Sequence, residues 1–166
     1  LGEMGLDYYW LGRMEGNPLG DASSVESVTT RSKILQQSLF ELQLKLAGNW
    51  GVPVSIHSRA AESEAIETVL KMQRQYPNLS GVFHSFTGDS EQLSAALAVP
   101  NFKIGVNGIV TYKSAKELLR FIVERILAVI GKPSESLTLK ELYQAGFVLE
   151  TDCPYLIPSN ADSVEL

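Results

Sequence analysis

The chain has two histidines, and each stands where a short apolar run stops. His57 closes Val52-Pro53-Val54-Ser55-Ile56 and is followed by Ser58-Arg59, while His84 closes Gly81-Val82-Phe83 and is followed by Ser85-Phe86 and a turn-forming stretch. Imidazole is the commonest protein ligand for a transition metal. Two carboxylates are placed in the same way. Glu3 lies in Leu1-Gly2-Glu3-Met4-Gly5-Leu6-Asp7, where a period of two puts Glu3, Gly5 and Asp7 on one face and Met4 and Leu6 on the other. Asp152 ends Phe147-Val148-Leu149-Glu150-Thr151-Asp152, and Glu150 shares its face. Burying an unpaired carboxylate is costly, so Glu3 needs a cation, a hydrogen-bond donor or a metal. In a parallel sheet with helical crossovers all strands end on one rim, so Glu3, His57, His84 and Asp152 can converge. Two imidazoles and a carboxylate suit zinc or another borderline divalent ion. A carboxylate between two ions can bridge them in a site that activates water for hydrolysis.

Taken singly, each residue has a plainer reading. A lone histidine at a strand end is more often a hydrogen-bonded packing residue, and it is the joint placement of four such groups that favours a metal. Arg59 can grip a phosphate through its planar fork and Lys113 as a point charge, but either equally suits a surface salt bridge. Cys153 reads as a half-buried structural thiol in preference to a soft ligand. Tyr8, Tyr9 and Trp10 can stack on bases or simply pack. Gly105 and Gly108 have neither the spacing nor the lysine and serine of a phosphate loop.

The elements that must position these groups follow from periodicity. After the first strand comes a long loop rich in turn formers, from Gly12 to Ser24, of the kind that lines active sites. Leu35, Leu39, Leu42 and Leu46 predict an amphipathic helix from about Arg31 to Ala47 that packs on the sheet through that stripe and ends at Gly48 and Gly51. The His57 strand leads into a helix from about Glu62 to Tyr76, with Ile66, Val69, Leu70 and Gln73 on one face and Pro77 after it. Beyond the His84 strand, Asp89 or Ser90 can cap a short helix carrying Leu93, Ala96 and Leu97, before a strand over Phe102 to Asn107. A helix from about Ser114 to Ile130, with Leu118, Leu119, Ile122, Ile126 and Ile130 on one side, is stopped by Gly131 and Pro133. A short helix over Thr138 to Gln144 precedes the Asp152 strand, and the tail after Pro158 is polar and loose. Strands alternating with helices indicate right-handed crossovers and a parallel sheet, either small and open or part of a (β/α)8 barrel.

Composition narrows the field. With 166 residues, 45% of them hydrophobic, the chain can bury one sizeable core, and a folded chain is expected. No run approaches the roughly 18 uncharged apolar residues of a membrane span. A single cysteine permits no internal disulfide and fits a reducing compartment, the cytoplasm or the nucleus. The net charge of -5 argues against coating nucleic acid through a basic face, although one metal-centred pocket can accept a phosphate. Leu1 opens directly into strand-like sequence, so the chain is expected to be part of a longer one.

Several stretches together resemble the successive signatures of the TatD-type metal-dependent deoxyribonucleases, a branch of the amidohydrolase superfamily. They are Gly2-Glu3-Met4-Gly5-Leu6-Asp7-Tyr8, Pro53-Val54-Ser55-Ile56-His57-Ser58-Arg59, Val82-Phe83-His84-Ser85-Phe86-Thr87-Gly88, Asn107-Gly108-Ile109-Val110-Thr111 and Leu149-Glu150-Thr151-Asp152-Cys153-Pro154-Tyr155-Leu156. The resemblance implies an α/β fold of the (β/α)8 TIM-barrel family, with residues 1–166 supplying about five βα units, strands four to eight. It also implies divalent metal cofactors, Zn, Mg or Mn, two per complete site. Glu3 would bridge the two ions, His57 and His84 would hold one, and Asp152 would bind the other and handle the proton of the attacking water. Arg59 would lie beside the substrate phosphate. The family's histidine pair on its first strand is not in this chain, so one site would be nearly complete and the other not. Ser85 stands where cysteine is usual, Thr87 where serine is, and the segment from Phe121 to Gly146 is longer than the family's usual link. The implied activity is hydrolysis of phosphodiester bonds in DNA, as a deoxyribonuclease or exonuclease working at strand ends. Alternatives are a related hydrolase of esters or amides, and a catalytically silent truncated barrel or interaction module. A barrel segment with unpaired edge strands is expected to self-associate or to bind the missing N-terminal segment.

Overall fold

The computed structural model describes residues 1–11, 22–131 and 137–159. Strands and helices alternate as the periodicity predicts: β1 (Met4–Asp7), α1 (Ala22–Trp50), β2 (Val54–Arg59), α2 (Glu62–Gln75), β3 (Gly81–Phe83), α3 (Ser90–Leu97), β4 (Phe102–Val106), α4 (Lys116–Ile130), α5 (Leu139–Ala145) and β5 (Phe147–Leu149). The chain divides into two compact units, Leu1–Gly81 and Val82–Leu166.

In the first unit β1 and β2 run parallel, with Met4 opposite Ile56 and Asp7 opposite Arg59. Period-two geometry sends Met4, Leu6, Val54 and Ile56 into the core, where they meet Phe40, Leu44 and Ala47 of α1 and Ile66, Val69 and Met72 of α2. The strands approach so closely that a Cβ on Gly5 would stand 1.8 Å from the carbonyl oxygen of His57, and Gly5 also has φ +151°. Only glycine meets both conditions. On the side of β1 turned away from β2, the amide of Gln36 engages both backbone groups of Asp7. The Asp7 N–H donates to Gln36 Oε1 at 2.8 Å, and Gln36 Nε2 donates to the Asp7 carbonyl at 3.0 Å.

Helix α1 departs from expectation in extent and in orientation. It starts at Ala22, so Ser23 and Ser24 belong to the helix, and Gly48 lies inside it; the rest of the expected loop, Gly12 to Asp21, lies outside the described residues. The leucines do not face the sheet. Leu35 is 70% exposed and Leu39 and Leu42 are each 52% exposed, whereas Phe40, Leu44 and Ala47 are fully buried. Both sets recur at helical spacing, and the larger apolar body of Phe40 occupies the sheet-facing side. Helix α2 matches its expected range, with Ile66, Val69 and Gln73 buried and Leu70 half-buried.

In the second unit β4 and β5 run parallel, with Ile104 opposite Phe147. Phe83 and Phe102 pack with ring centroids 5.4 Å apart in a core that includes Leu93, Leu118, Ile122 and Phe147. Asp89 caps α3 in a reciprocal box with Gln92, and Thr138 does the same for α5 with Glu141. Two 3-10 turns, Gly108–Thr111 and Lys113–Ala115, precede α4, so Ser114 lies before the α-helix proper. Leu118 and Ile122 are buried on α4, Ile126 and Ile130 are half-buried and Leu119 is exposed; Gly131, at φ 78°, closes the helix. Pro133 and residues 160–166 of the tail lie outside the described residues. Strand β5 ends at Leu149, which leaves Glu150 and Asp152 in the segment just beyond it. Cys153 is exposed, not half-buried, because it follows that strand end into a turn. No helix among the described residues is long and apolar enough to cross a membrane.

Candidate metal centre

In the first unit the β1–β2 register brings Glu3, Asp7 and His57 around an open cleft of about 320 Å³ that Met4, Gly5 and Gln36 also line. His57 Nδ1 is 3.6 Å from Glu3 Oε2, and Nε2 is 3.5 Å from Asp7 Oδ2. Asp7 shares the Glu3 face by period two, the one signal in the sequence that could mark it as part of this cleft. Arg59 holds Asp7 with two nitrogens, Nη2 at 2.6 Å and Nε at 3.0 Å from Oδ2, and its guanidinium lies 4.6 Å from the Tyr9 ring centroid. Burial pushes the Asp7 carboxyl up. The Arg59 hydrogen bonds, the Tyr9 N–H and the charges of Arg59 and His57 outweigh that and hold it below the usual carboxylate range.

In the second unit His84 is buried, and its two ring nitrogens have different surroundings. Nδ1 is 2.9 Å from Glu150 Oε2, within hydrogen-bond distance, and Nε2 is 3.5 Å from Asp152 Oδ1. The other carboxylate oxygen of Glu150 accepts from the Ser85 N–H at 2.5 Å. Ser85 adopts φ 51°, a left-handed turn directly after His84, and its hydroxyl accepts from Asn107 Nδ2 at 2.5 Å. In the sequence the one mark on Glu150 is the face it shares with Asp152. Lys113 stands exposed in its 3-10 turn, with no ion pair among the described residues.

These distances discriminate between hydrogen bonds and ligand pairs. Two ligand atoms, each about 2.0–2.1 Å from a zinc ion and at a tetrahedral angle, lie roughly 3.3 Å apart. An N–H···O hydrogen bond is about 2.7–3.2 Å. His57 with Glu3, His57 with Asp7 and His84 with Asp152 fall at 3.5–3.6 Å, close to the ligand spacing, whereas His84 with Glu150 falls at 2.9 Å, in the hydrogen-bond range. Imidazole nitrogen and carboxylate oxygen are the donors that a borderline divalent ion takes. The residues present therefore fit such an ion.

A family described as TatD related DNase matches residues 1–165. The chain belongs to this family. It is 32% identical over 158 residues to YabD of Bacillus subtilis, named as an uncharacterised metal-dependent hydrolase, covering 95% of the chain and 47% of YabD. It is 33% identical over 123 residues to the 3'-5' ssDNA/RNA exonuclease TatD of Yersinia pseudotuberculosis, covering 74% of the chain and 40% of that protein. Its fold is similar to the crystal structure of YjjV, a TatD homologue from Escherichia coli, with a TM-score of 0.60 at 28% identity over 96% of the chain and 46% of YjjV. The chain spans about half the length of the curated relatives it matches.

Proposed function

We propose that the protein is a metal-dependent hydrolase that cleaves phosphodiester bonds in nucleic acid, a deoxyribonuclease or exonuclease acting at strand ends. The observation that carries this reading is the asymmetry of His84: Nδ1 lies 2.9 Å from Glu150, at hydrogen-bond distance, while Nε2 faces Asp152 at 3.5 Å, close to ligand spacing. Family membership supports it, as does the exonuclease name of the Yersinia relative. On this reading residues 1–166 form part of a (β/α)8 barrel, and Glu3, His57, His84 and Asp152 are the metal ligands. A bound divalent cation supplies charge to stabilise the phosphoryl oxygen and acidity to water.

The chain's own residues do the rest. Asp152 accepts the proton of the attacking water through Oδ1 or Oδ2. Arg59 uses Nε and Nη2 on Asp7, so the Nη1 edge of its fork is the side that takes a phosphate oxygen, and the Asp7 pair holds that edge in one orientation. Lys113 supplies a second positive charge for the substrate backbone. With a net charge of -5 the surface repels a long duplex, which favours a strand end entering the cleft.

The test is hydrolysis of single-stranded DNA, duplex DNA and an aminoacyl ester by the full protein, with and without added divalent metal. Metal-dependent cleavage of DNA is expected, with Asp152→Asn losing about 10²- to 10⁴-fold in kcat. Activity that does not depend on metal, or cleavage of the ester alone, would overturn the reading.

A further inference from the structure

We propose that Glu150 is a positioning residue that fixes His84 as the Nδ1–H tautomer, so that Nε2 carries the lone pair. In the active site this inference rests on the metal-hydrolase reading above, but the tautomer itself does not. The two oxygens of Glu150 have separate partners: Oε1 accepts from the Ser85 N–H and Oε2 faces His84 Nδ1. With Oε1 taken by the Ser85 N–H, Oε2 stands 2.9 Å from Nδ1, within hydrogen-bond range, whereas Asp152 Oδ1 stands 3.5 Å from Nε2, outside it, so the geometry places the imidazole proton on Nδ1. The turn at Ser85, held by Asn107, aims the N–H that locks the first oxygen. Space for the carboxylate comes from Gly105, where a Cβ would stand 2.3 Å from Glu150 Oε1. An imidazole that donates one N–H to a carboxylate presents its other nitrogen as a ligand with fixed orientation and raised basicity.

Two substitutions test this from different directions. Glu150→Gln keeps the size but turns one oxygen into a donor NH₂. Placed against the Ser85 N–H, that NH₂ would set two donors facing each other, so it turns to Nδ1 and drives the ring to the opposite, Nε2–H tautomer. Gly105→Ala keeps the carboxylate but displaces it. The readout is ¹⁵N NMR of the His84 ring at a pH where it is neutral, together with affinity for Zn²⁺ or Mn²⁺ alone, measured well below the melting temperature of each variant.

The wild type is expected to show the Nδ1–H tautomer, Glu150→Gln the Nε2–H tautomer, and both variants a fall in metal affinity of about 10- to 100-fold. A wild type carrying the Nε2–H tautomer would overturn the proposal. So would a Glu150→Gln protein that melts earlier but keeps both tautomer and affinity, since Glu150 would then only brace the turn. A wild type with the Nδ1–H tautomer, inverted in Glu150→Gln, that binds neither metal would uphold the tautomer assignment and refute the metal-hydrolase reading.

Discussion

Phe40 and Leu39 are neighbours on α1 with opposite environments, which makes them a sharp test of how that helix is oriented. Phe40 is fully buried against the β1–β2 pair, and Leu39 is 52% exposed. Truncating a buried phenylalanine to alanine removes its transfer free energy and leaves a cavity, at a cost of about 3–5 kcal/mol. Burying a leucine side chain completely is worth about 1.5–3 kcal/mol. Leu39 is only half covered, so Leu39→Ala loses at most about half of that, and the better helix propensity of alanine returns a few tenths, leaving roughly 0.5–1 kcal/mol. In a chain of this size 1 kcal/mol moves the melting temperature by about 2–4 °C. Phe40→Ala should therefore lower Tm by roughly 6–20 °C and Leu39→Ala by no more than about 4 °C, followed by circular dichroism in thermal and urea melts. If Leu39→Ala proved as damaging as Phe40→Ala, the leucine stripe would be covered in solution and the assigned face of α1 would be wrong.

Gly5→Ala should destabilise the first unit by at least about 2 kcal/mol, since the new Cβ meets the His57 carbonyl and the backbone is left-handed, and a urea melt against wild type measures it. The Asp7 carboxyl is held below its usual range, so the stability it contributes is present above about pH 4 and is lost as pH falls through its lower folded value. Asp7→Asn should remove that part of the acid-side slope, at a cost of no more than about 1 kcal/mol at neutral pH. Burial, followed by the hydrogen bond to Glu64 and its charge, pushes the Tyr8 phenol up to about 12 from 10.0. Its contribution is complete below about pH 10 and is lost as pH rises toward 12, so Tyr8→Phe should flatten the alkaline limb of stability against pH.

The order of strands and helices was legible because each carries a local signal: period two around Leu6 and Ile56, a capping residue at Asp89, and glycine at 131. Two capping boxes occurred where the sequence had a polar residue ahead of a periodic run. The face of α1 was not legible, because Leu35-Leu39-Leu42-Leu46 and Phe40-Leu44-Ala47 are both at helical spacing and a period cannot say which stripe meets a sheet. Among the candidate ligands, the end of an apolar run marked His84, which stands just past β3, whereas His57 lies within β2, two residues before its end. The Asp7–Arg59 pair had no such mark, since it depends on a β1–β2 register that joins residues 52 positions apart. Glu150 was hidden for a related reason. Nothing in its neighbourhood in sequence says that a missing side chain at Gly105 makes room for it beside His84.

Gln36 has a consequence for how the sheet can grow. The backbone of Gly5 and Asp7 is turned away from β2, because Tyr8 N–H is the group that reaches the Arg59 carbonyl across the ladder. An edge of that kind is a template on which another strand can add. Gln36 already occupies both hydrogen-bonding groups of Asp7 and so imitates the first rung of a neighbouring strand with a side chain. Any strand that joins β1, from this protein or from a second molecule, has to stop short of Asp7. The amide is thus a terminator for strand addition, set at the end of β1 where Asp7 also faces His57.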